Sequence, residues 1–264
     1  MTFSANPSPS GGDICCFSRG SCMFKFLSAG KTDVGLRRSN NEDSYLVTPE
    51  AGLYAVADGM GGADSGEVAS DIFVKTAGEI FAHPSELSED EVNARVRDVF
   101  SRANERMIEY IAKHSLPLGM GCTAELLTFA GDRYLIGHVG DSRTYLLRNG
   151  ELRQMTKDHS LVQQQVDNGY ISAADARNHS MKNVVLRALG TTPELSLDLI
   201  RGRLLSNDLF LLCSDGLTDM VDDAGIRDIL ATGDSLPVKV TNLIESAKKA
   251  GGRDNVTALL CQAF

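Results

Sequence analysis

The chain has 264 residues, 42% of them hydrophobic, which is enough for one large core and does not require a second domain. Its 35 Asp and Glu outweigh 26 Lys and Arg, for a net charge of −9 with no basic block, so a nucleic-acid binder held by phosphate attraction is excluded. No apolar run approaches the roughly 18 residues needed to span a bilayer, so no membrane insertion is expected. Cys15, Cys16, Cys22, Cys122, Cys213 and Cys261 contain no C-x-x-C pair, and the last three lie in apolar, strand-like context. They read as reduced core thiols of a cytoplasmic protein.

Residues 1–22 show neither strand nor helix periodicity and are expected to be a mobile leader, with organised sequence, and a possible translation start, at Met23. Phe24 to Val34 reads as the opening strand, Ser44 to Thr48 as the second, and a third runs to Asp58. The glycine-rich stretch Asp58-Gly59-Met60-Gly61-Gly62 then gives way to a helix from Ser65 to about His83, with Asp64 and Glu67 spaced as a capping box. A longer helix starts at a second box, Ser88 with Glu91, and carries Val92, Val96, Val99, Ala103, Met107 and Ile111 on one face.

Beyond Pro117 the pattern is that of an antiparallel meander. Strands are expected over Cys122 to Phe129, Arg133 to Val139, Thr144 to Leu147 and Glu151 to Met155, with Gly131-Asp132 and Asn149-Gly150 as turns. Residues 157–190 are polar and weakly patterned around helical pieces at Ser160 to Asn168 and Ser172 to Ala176, and read as a flap. Strands resume at Leu195 to Leu205 and Asp208 to Ser214. Helices follow over Ala224 to Leu230 and Pro237 to Ala250, before a last strand from Val256 to Gln262.

Three hydrophobic strands run to, or nearly to, an Asp flanked by glycine: Asp58, Asp141 and Asp215. Asp43 and Asp254 sit at equally abrupt strand edges. A lone Asp-Gly is as readily a tight turn, but five such carboxylates in an acidic domain suggest convergence on hard cations such as Mg²⁺ or Mn²⁺, which take oxygen ligands. There is no EF-hand, Walker loop, H-E-x-x-H or G-x-S-x-G. No cysteine has Arg six residues on, which removes the covalent-thiol route to phosphate ester cleavage. Metal-assisted hydrolysis is the class that remains.

Arg38-Ser-Asn-Asn-Glu42-Asp43, Val56-Ala-Asp58-Gly59-Met60-Gly61-Gly62, Gly121-Cys-Thr123-Ala, Gly140-Asp141-Ser142-Arg143, Leu212-Cys-Ser214-Asp215-Gly216-Leu217 and Gly252-Arg-Asp254-Asn255-Val256-Thr257 together resemble the ordered motif set of the PP2C (PPM) family of metal-dependent serine/threonine protein phosphatases, in its bacterial form. The resemblance covers about residues 24–264. It implies an α+β fold: a central antiparallel β-sandwich flanked by antiparallel helix pairs, with metals in a cleft at one end.

Carried over by position, the resemblance implies that Asp58 bridges two Mg²⁺ or Mn²⁺ ions, with the Gly59 carbonyl, Asp215 and Asp254 on the first. Asp43, and Glu42 through water, would lie around the second. Asp141 with Asp215 would hold a weaker third ion, approached by Ser180 from the flap. Arg38 would grip the substrate phosphate, and water or hydroxide shared by the two core ions would attack phosphorus in line. The implied substrates are phosphoserine and phosphothreonine proteins, with a bacterial Ser/Thr kinase as the opposing partner, and a monomer is expected. The alternative is a pseudophosphatase that binds phosphoproteins as a regulator.

One position departs from the family pattern. Many eukaryotic relatives carry His where this chain has Met60, and a thioether has no proton to donate to the leaving alkoxide. Metal-bound water is the favoured acid, with His159 and His179 of the flap as the other candidates.

Overall fold

The computed structural model describes residues 14–16, 24–61, 65–82, 87–114 and 119–264. Among them are twelve strands and seven α-helices. The strands are β1 (Ile14–Cys16), β2 (Lys25–Asp33), β3 (Asp43–Thr48), β4 (Leu53–Met60), β5 (Gly121–Cys122), β6 (Ala124–Ala130), β7 (Arg133–Val139), β8 (Arg143–Arg148), β9 (Glu151–Gln154), β10 (Asp198–Arg203), β11 (Leu209–Cys213) and β12 (Val256–Ala263). The helices are α1 (Ser65–Ile80), α2 (Glu89–His114), α3 (Leu161–Asp167), α4 (Ala173–Arg177), α5 (Asp215–Thr218), α6 (Asp223–Leu230) and α7 (Leu236–Lys249).

Two antiparallel sheets form the sandwich, in the orders β1-β2-β12-β11-β8-β9 and β10-β7-β6-β4-β3, with β5 added to β4. Side-chain alternation builds three layers of core from single strands. Tyr54 and Val56 of β4, like Phe210 and Leu212 of β11, point between the sheets. Leu53, Ala55 and Ala57 point instead to α1 and α2, and Leu209, Leu211 and Cys213 to α6 and α7. Phe129 anchors the middle layer, stacked on Phe26 at 4.3 Å and edge-on to Tyr54 and Phe210. Truncating such a buried ring to Ala costs about 3–5 kcal/mol.

The helices begin and seat where the chain chemistry directs. Ser88 and Glu91 form the expected box, with Glu91 Oε2 accepting from Ser88 N at 2.8 Å and Glu91 N donating to Ser88 Oγ at 3.3 Å. Val96 and Phe100 of α2 then press so closely on β7 that a Cβ at Gly137 would come within 2.9 Å and 2.6 Å of them. The box expected at Asp64 falls on a residue outside those described.

Boundaries differ from the sequence reading in instructive places. β4 runs two residues past Asp58, because Gly59 and Met60 pair with Cys122 and Gly121 of β5. The expected strand Cys122 to Phe129 is split at Thr123, whose N–H donates to the Asp58 carbonyl at 2.9 Å and whose hydroxyl accepts from Asp58 N at 3.1 Å. Asp215 does not simply end a strand: it opens α5. Ile14–Cys16, inside the expected leader, pairs with Lys25 to Leu27 as a sheet edge, while residues 1–13 and 17–23, including Met23, lie outside those described.

Antiparallel order places the candidate carboxylates. The end of β11 meets the starts of β8 and β12, since Cys213 pairs with Arg143 and with Ala258. The start of β3 meets the end of β4, with Asp43 opposite Asp58. β4 and β7 both flank β6 and so run in the same direction. Asp43, Asp58, Asp141, Asp215 and Asp254 therefore all emerge at strand ends that share one end of the sandwich.

Candidate metal centre

Asp58 lies at the focus of this end. The negative charges of Asp43, Asp215, Asp141 and Asp254 all act on it, and no described residue donates a hydrogen bond to its carboxylate. Burial first, and then these neighbours, push the Asp58 carboxyl well above the ordinary carboxylate range; burial followed by Asp141, Asp219, Asp254 and Asp43 does the same for Asp215. Asp43 is raised chiefly by burial, and Asp141 by burial and then Asp158.

The surrounding groups aim these carboxylates rather than neutralise them. Asp43 Oδ2 accepts from Ser214 Oγ at 2.7 Å and Thr257 Oγ1 at 2.6 Å, while its buried Oδ1 has no hydrogen-bond partner. Thr123 ties the Asp58 backbone to the neighbouring turn through a 2.7 Å contact with Ser142 Oγ. Gly59 packs so tightly that a Cβ would lie 2.1 Å from the Gly66 carbonyl oxygen and 2.6 Å from that of Glu42. Asn255 joins the segments bearing Arg38 and Asp254: it accepts from Glu42 N at 2.9 Å and donates to the Asn40 carbonyl at 2.9 Å and the Val34 carbonyl at 3.1 Å.

Among the described residues no three or more His, Cys, Asp or Glu side chains form a ready-made ion cage. Two of the carboxylates are turned onto other partners, Asp43 onto the hydroxyls above and Asp254 onto Arg38. The donor set nevertheless fits hard divalent cations: it is all oxygen, Asp43 and Asp141 are buried and Asp58, Asp215 and Asp254 half-buried, and it contains an orphaned carboxylate oxygen whose desolvation only a cation or a proton would offset.

The family model for protein phosphatase 2C matches residues 36–260. The chain is 38% identical over 236 residues to a serine/threonine phosphatase of Listeria welshimeri, spanning 88% of this chain and 94% of that protein. The chain belongs to the protein phosphatase 2C family. The Mycobacterium tuberculosis serine/threonine phosphatase PstP/Ppp superposes with a TM-score of 0.84 at 37% identity, over 90% of this chain and 98% of that one. A PstP catalytic domain in complex with two manganese ions gives 0.82 at 35% identity, over 91% and 99%. The fold is thus the expected α+β sandwich, and the activity is that of a metal-dependent protein-serine/threonine phosphatase.

Within this phosphatase the remaining candidate residues are placed as follows. Arg38 is half exposed, and its Nη2 donates to Asp254 Oδ2 at 2.7 Å, with Glu42 and Asp58 adding to the negative field around it. Glu42 accepts a weak 3.3 Å bond from Asn40 and lies against Gly66 at the start of α1. Asp141 and Asp215 line a cleft of about 360 Å³ whose opposite wall is the flap. Ser180 is exposed on the turn after α4 and is not among the lining residues.

His159 is engaged away from the carboxylates. Its Nδ1 accepts from Gly140 N at 3.1 Å and its Nε2 contacts Asp198 at 3.2 Å. Burial and the adjacent His138 pull its pKa down to about 4, so near neutral pH it has no spare proton. His179 Nδ1 is likewise taken up, by Met181 N at 3.1 Å.

Ser214, Thr257, Thr123 and Asn255 stand in the quoted motifs, but the sequence reading gave them no role. Ser214 and Asn255 are marked by standing beside Asp215 and Asp254, whereas Thr123 and Thr257 carry no such mark, and strand register is needed before any of their targets are known.

Proposed function

We propose that this phosphatase removes phosphate from phosphoserine and phosphothreonine in proteins, opposing a Ser/Thr kinase. In this reading Asp58, the Gly59 carbonyl, Asp215 and Asp254 would hold one Mg²⁺ or Mn²⁺, while Asp58, Asp43 and, through water, Glu42 would hold a second. Asp141 with Asp215 would take a weaker third, with Ser180 as an outer contact. The observation that carries the reading is the half-buried Asp58 carboxylate, which no described residue hydrogen-bonds and on which four other carboxylates act, an arrangement that is stable at neutral pH only with protons or cations in place. The ions, when bound, supply Lewis acidity that activates water toward phosphorus.

The protein's own groups have distinct tasks. Ser214 and Thr257 hold Asp43 in one orientation through Oδ2 and leave Oδ1 free to ligate. Arg38 presents a planar fork suited to two phosphate oxygens and stabilises the charge that spreads over them. Its bond to Asp254 preorients that fork at the mouth of the site. Met60 offers the leaving alkoxide no proton, and His159 is engaged elsewhere, which supports water as the acid.

The test is phosphate release from a phosphothreonine peptide with Mn²⁺, with and without EDTA, for the wild type and Asp58→Asn. Release that needs Mn²⁺ and is lost in the variant is expected. Release that survives EDTA would overturn the mechanism.

A further inference from the structure

The flap is fixed at both stems. At one, His159 N donates to the Gly140 carbonyl at 2.7 Å; at the other, Leu189 and Cys122 exchange backbone hydrogen bonds of 2.9 and 3.1 Å. Between the stems, among the described residues, Asp167 pairs with Lys157 Nζ at 2.7 Å just before the first stem, and two further side-chain hydrogen bonds reach across the cleft. Lys182 Nζ donates to the Asp219 carboxylate, and Arg177 Nη2 reaches the Thr218 carbonyl at 3.4 Å. Both land on one short element, since Thr218 ends α5 and Asp219 caps it, one turn beyond Asp215. Flap and α5 thus line the same 360 Å³ cleft, with Lys182 and Asp219 among the lining residues together with Asp141 and Asp215. The flap has little apolar anchorage of its own, and Tyr170, Met181, Val184 and Leu186 are all exposed on it.

We propose that Lys182 and Asp219 form a latch that sets the flap wall against α5, making them positioning residues for protein substrates and not for small phosphate esters. The inference rests on the phosphatase reading above. A phosphorylated side chain on a polypeptide must bring its flanking residues past this wall, whereas an aryl phosphate does not. The pair is partly buried, with side chains 25% and 31% exposed, so water screens it only in part. Reversing one charge removes the attraction and adds a repulsion, whereas reversing both restores the pair.

The experiment compares wild type, Lys182→Arg, Lys182→Glu and the exchanged pair Lys182→Asp/Asp219→Lys. Each is assayed with Mn²⁺ on a phosphothreonine peptide and on p-nitrophenyl phosphate, and amide exchange is followed over residues 173–186. Lys182→Glu is expected to raise KM for the peptide about 3- to 10-fold, leave aryl phosphate hydrolysis within about twofold, and speed amide exchange. Lys182→Arg should behave as wild type, and the exchanged pair should recover the slow exchange. Unchanged peptide kinetics in Lys182→Glu, an equal loss on both substrates, or failure of the exchanged pair to recover protection would each overturn the latch. Failure of the phosphatase reading looks different: the wild type would release phosphate from neither substrate, and amide exchange would still decide whether the latch forms.

Discussion

Two groups of buried charge lie side by side in this molecule and are solved in opposite ways. Beside the candidate metal centre, Glu125 of β6 and His138 of β7 are both fully buried, and every strong group has a partner. His138 Nδ1 bonds Glu125 Oε1, His138 Nε2 meets the Lys157 carbonyl at 2.9 Å, and Thr144 Oγ1 donates to Glu125 Oε2 at 2.6 Å. Because Thr144 belongs to the other sheet and Lys157 to the flap stem, this network clips three parts of the fold together. In the Asp58 group the carboxylates face one another, no described residue bonds the Asp58 carboxylate, and Asp43 Oδ1 is orphaned. A satisfied buried pair marks architecture, and an unsatisfied buried cluster marks a site that something else completes.

The sharpest way to break the comparison is to remove one carboxylate from each group. Asp58→Asn is expected to lower phosphate release about 10³-fold or more, yet to raise the thermal midpoint of the metal-free protein, because a half-buried charge repelled by four neighbouring carboxylates is gone. Glu125→Ala should have the opposite sign on stability, costing about 3–5 kcal/mol by leaving His138 and Thr144 without their partner. Thermal or urea unfolding of both variants in EDTA checks this; stabilisation by both would erase the distinction.

Changing pH sharpens it next. Burial opposes the His138 charge, but Glu125 and the Lys157 carbonyl more than offset this and raise its pKa to about 8, with Asp158 adding to the effect. Glu125 is also raised, mainly by burial. Both partners hold a proton more tightly folded than unfolded. The stabilisation from His138 is thus complete below its unfolded value of about 6.5 and lost as pH rises through 8, roughly 2 kcal/mol in all. Urea midpoints across pH 6 to 9 for wild type and His138→Asn should differ in slope over that window, and parallel profiles would remove the pair from the stability account. The smallest expected effect belongs to a hydroxyl that aims a carboxylate: Ser214→Ala, which leaves Asp43 with Thr257 alone, should weaken Mn²⁺ binding about tenfold and cost about 1–3 kcal/mol of stability, since Ser214 Oγ also accepts from Thr257 N at 3.0 Å. Unaltered affinity would show that Asp43 needs no such orientation.

The legibility of the two groups also differs, for physical reasons. Asp58, Asp141 and Asp215 stand out in the sequence because each stops or follows a hydrophobic strand beside a glycine. The elements themselves are mostly legible, since β7 is found at its expected bounds and α2 starts at its expected box. Glu125 and His138 are harder to see, each being a single polar residue inside an apolar strand. Their signal is register: with Gly131-Asp132 as a two-residue turn, Ala130 faces Arg133, and counting outward brings Glu125 opposite His138. The departures at Thr123 and Met60 are not legible, because both arise from the pairing of β5 with β4, elements far apart in the chain.

The central claim is that the Asp58 cluster is completed by divalent cations, and calorimetric titration of metal-free protein with Mn²⁺ tests it most directly. The account predicts at least two ions bound by the wild type, with the tight binding lost in Asp58→Asn and retained in a Lys182→Arg control. Equal Mn²⁺ binding by wild type and Asp58→Asn would contradict it.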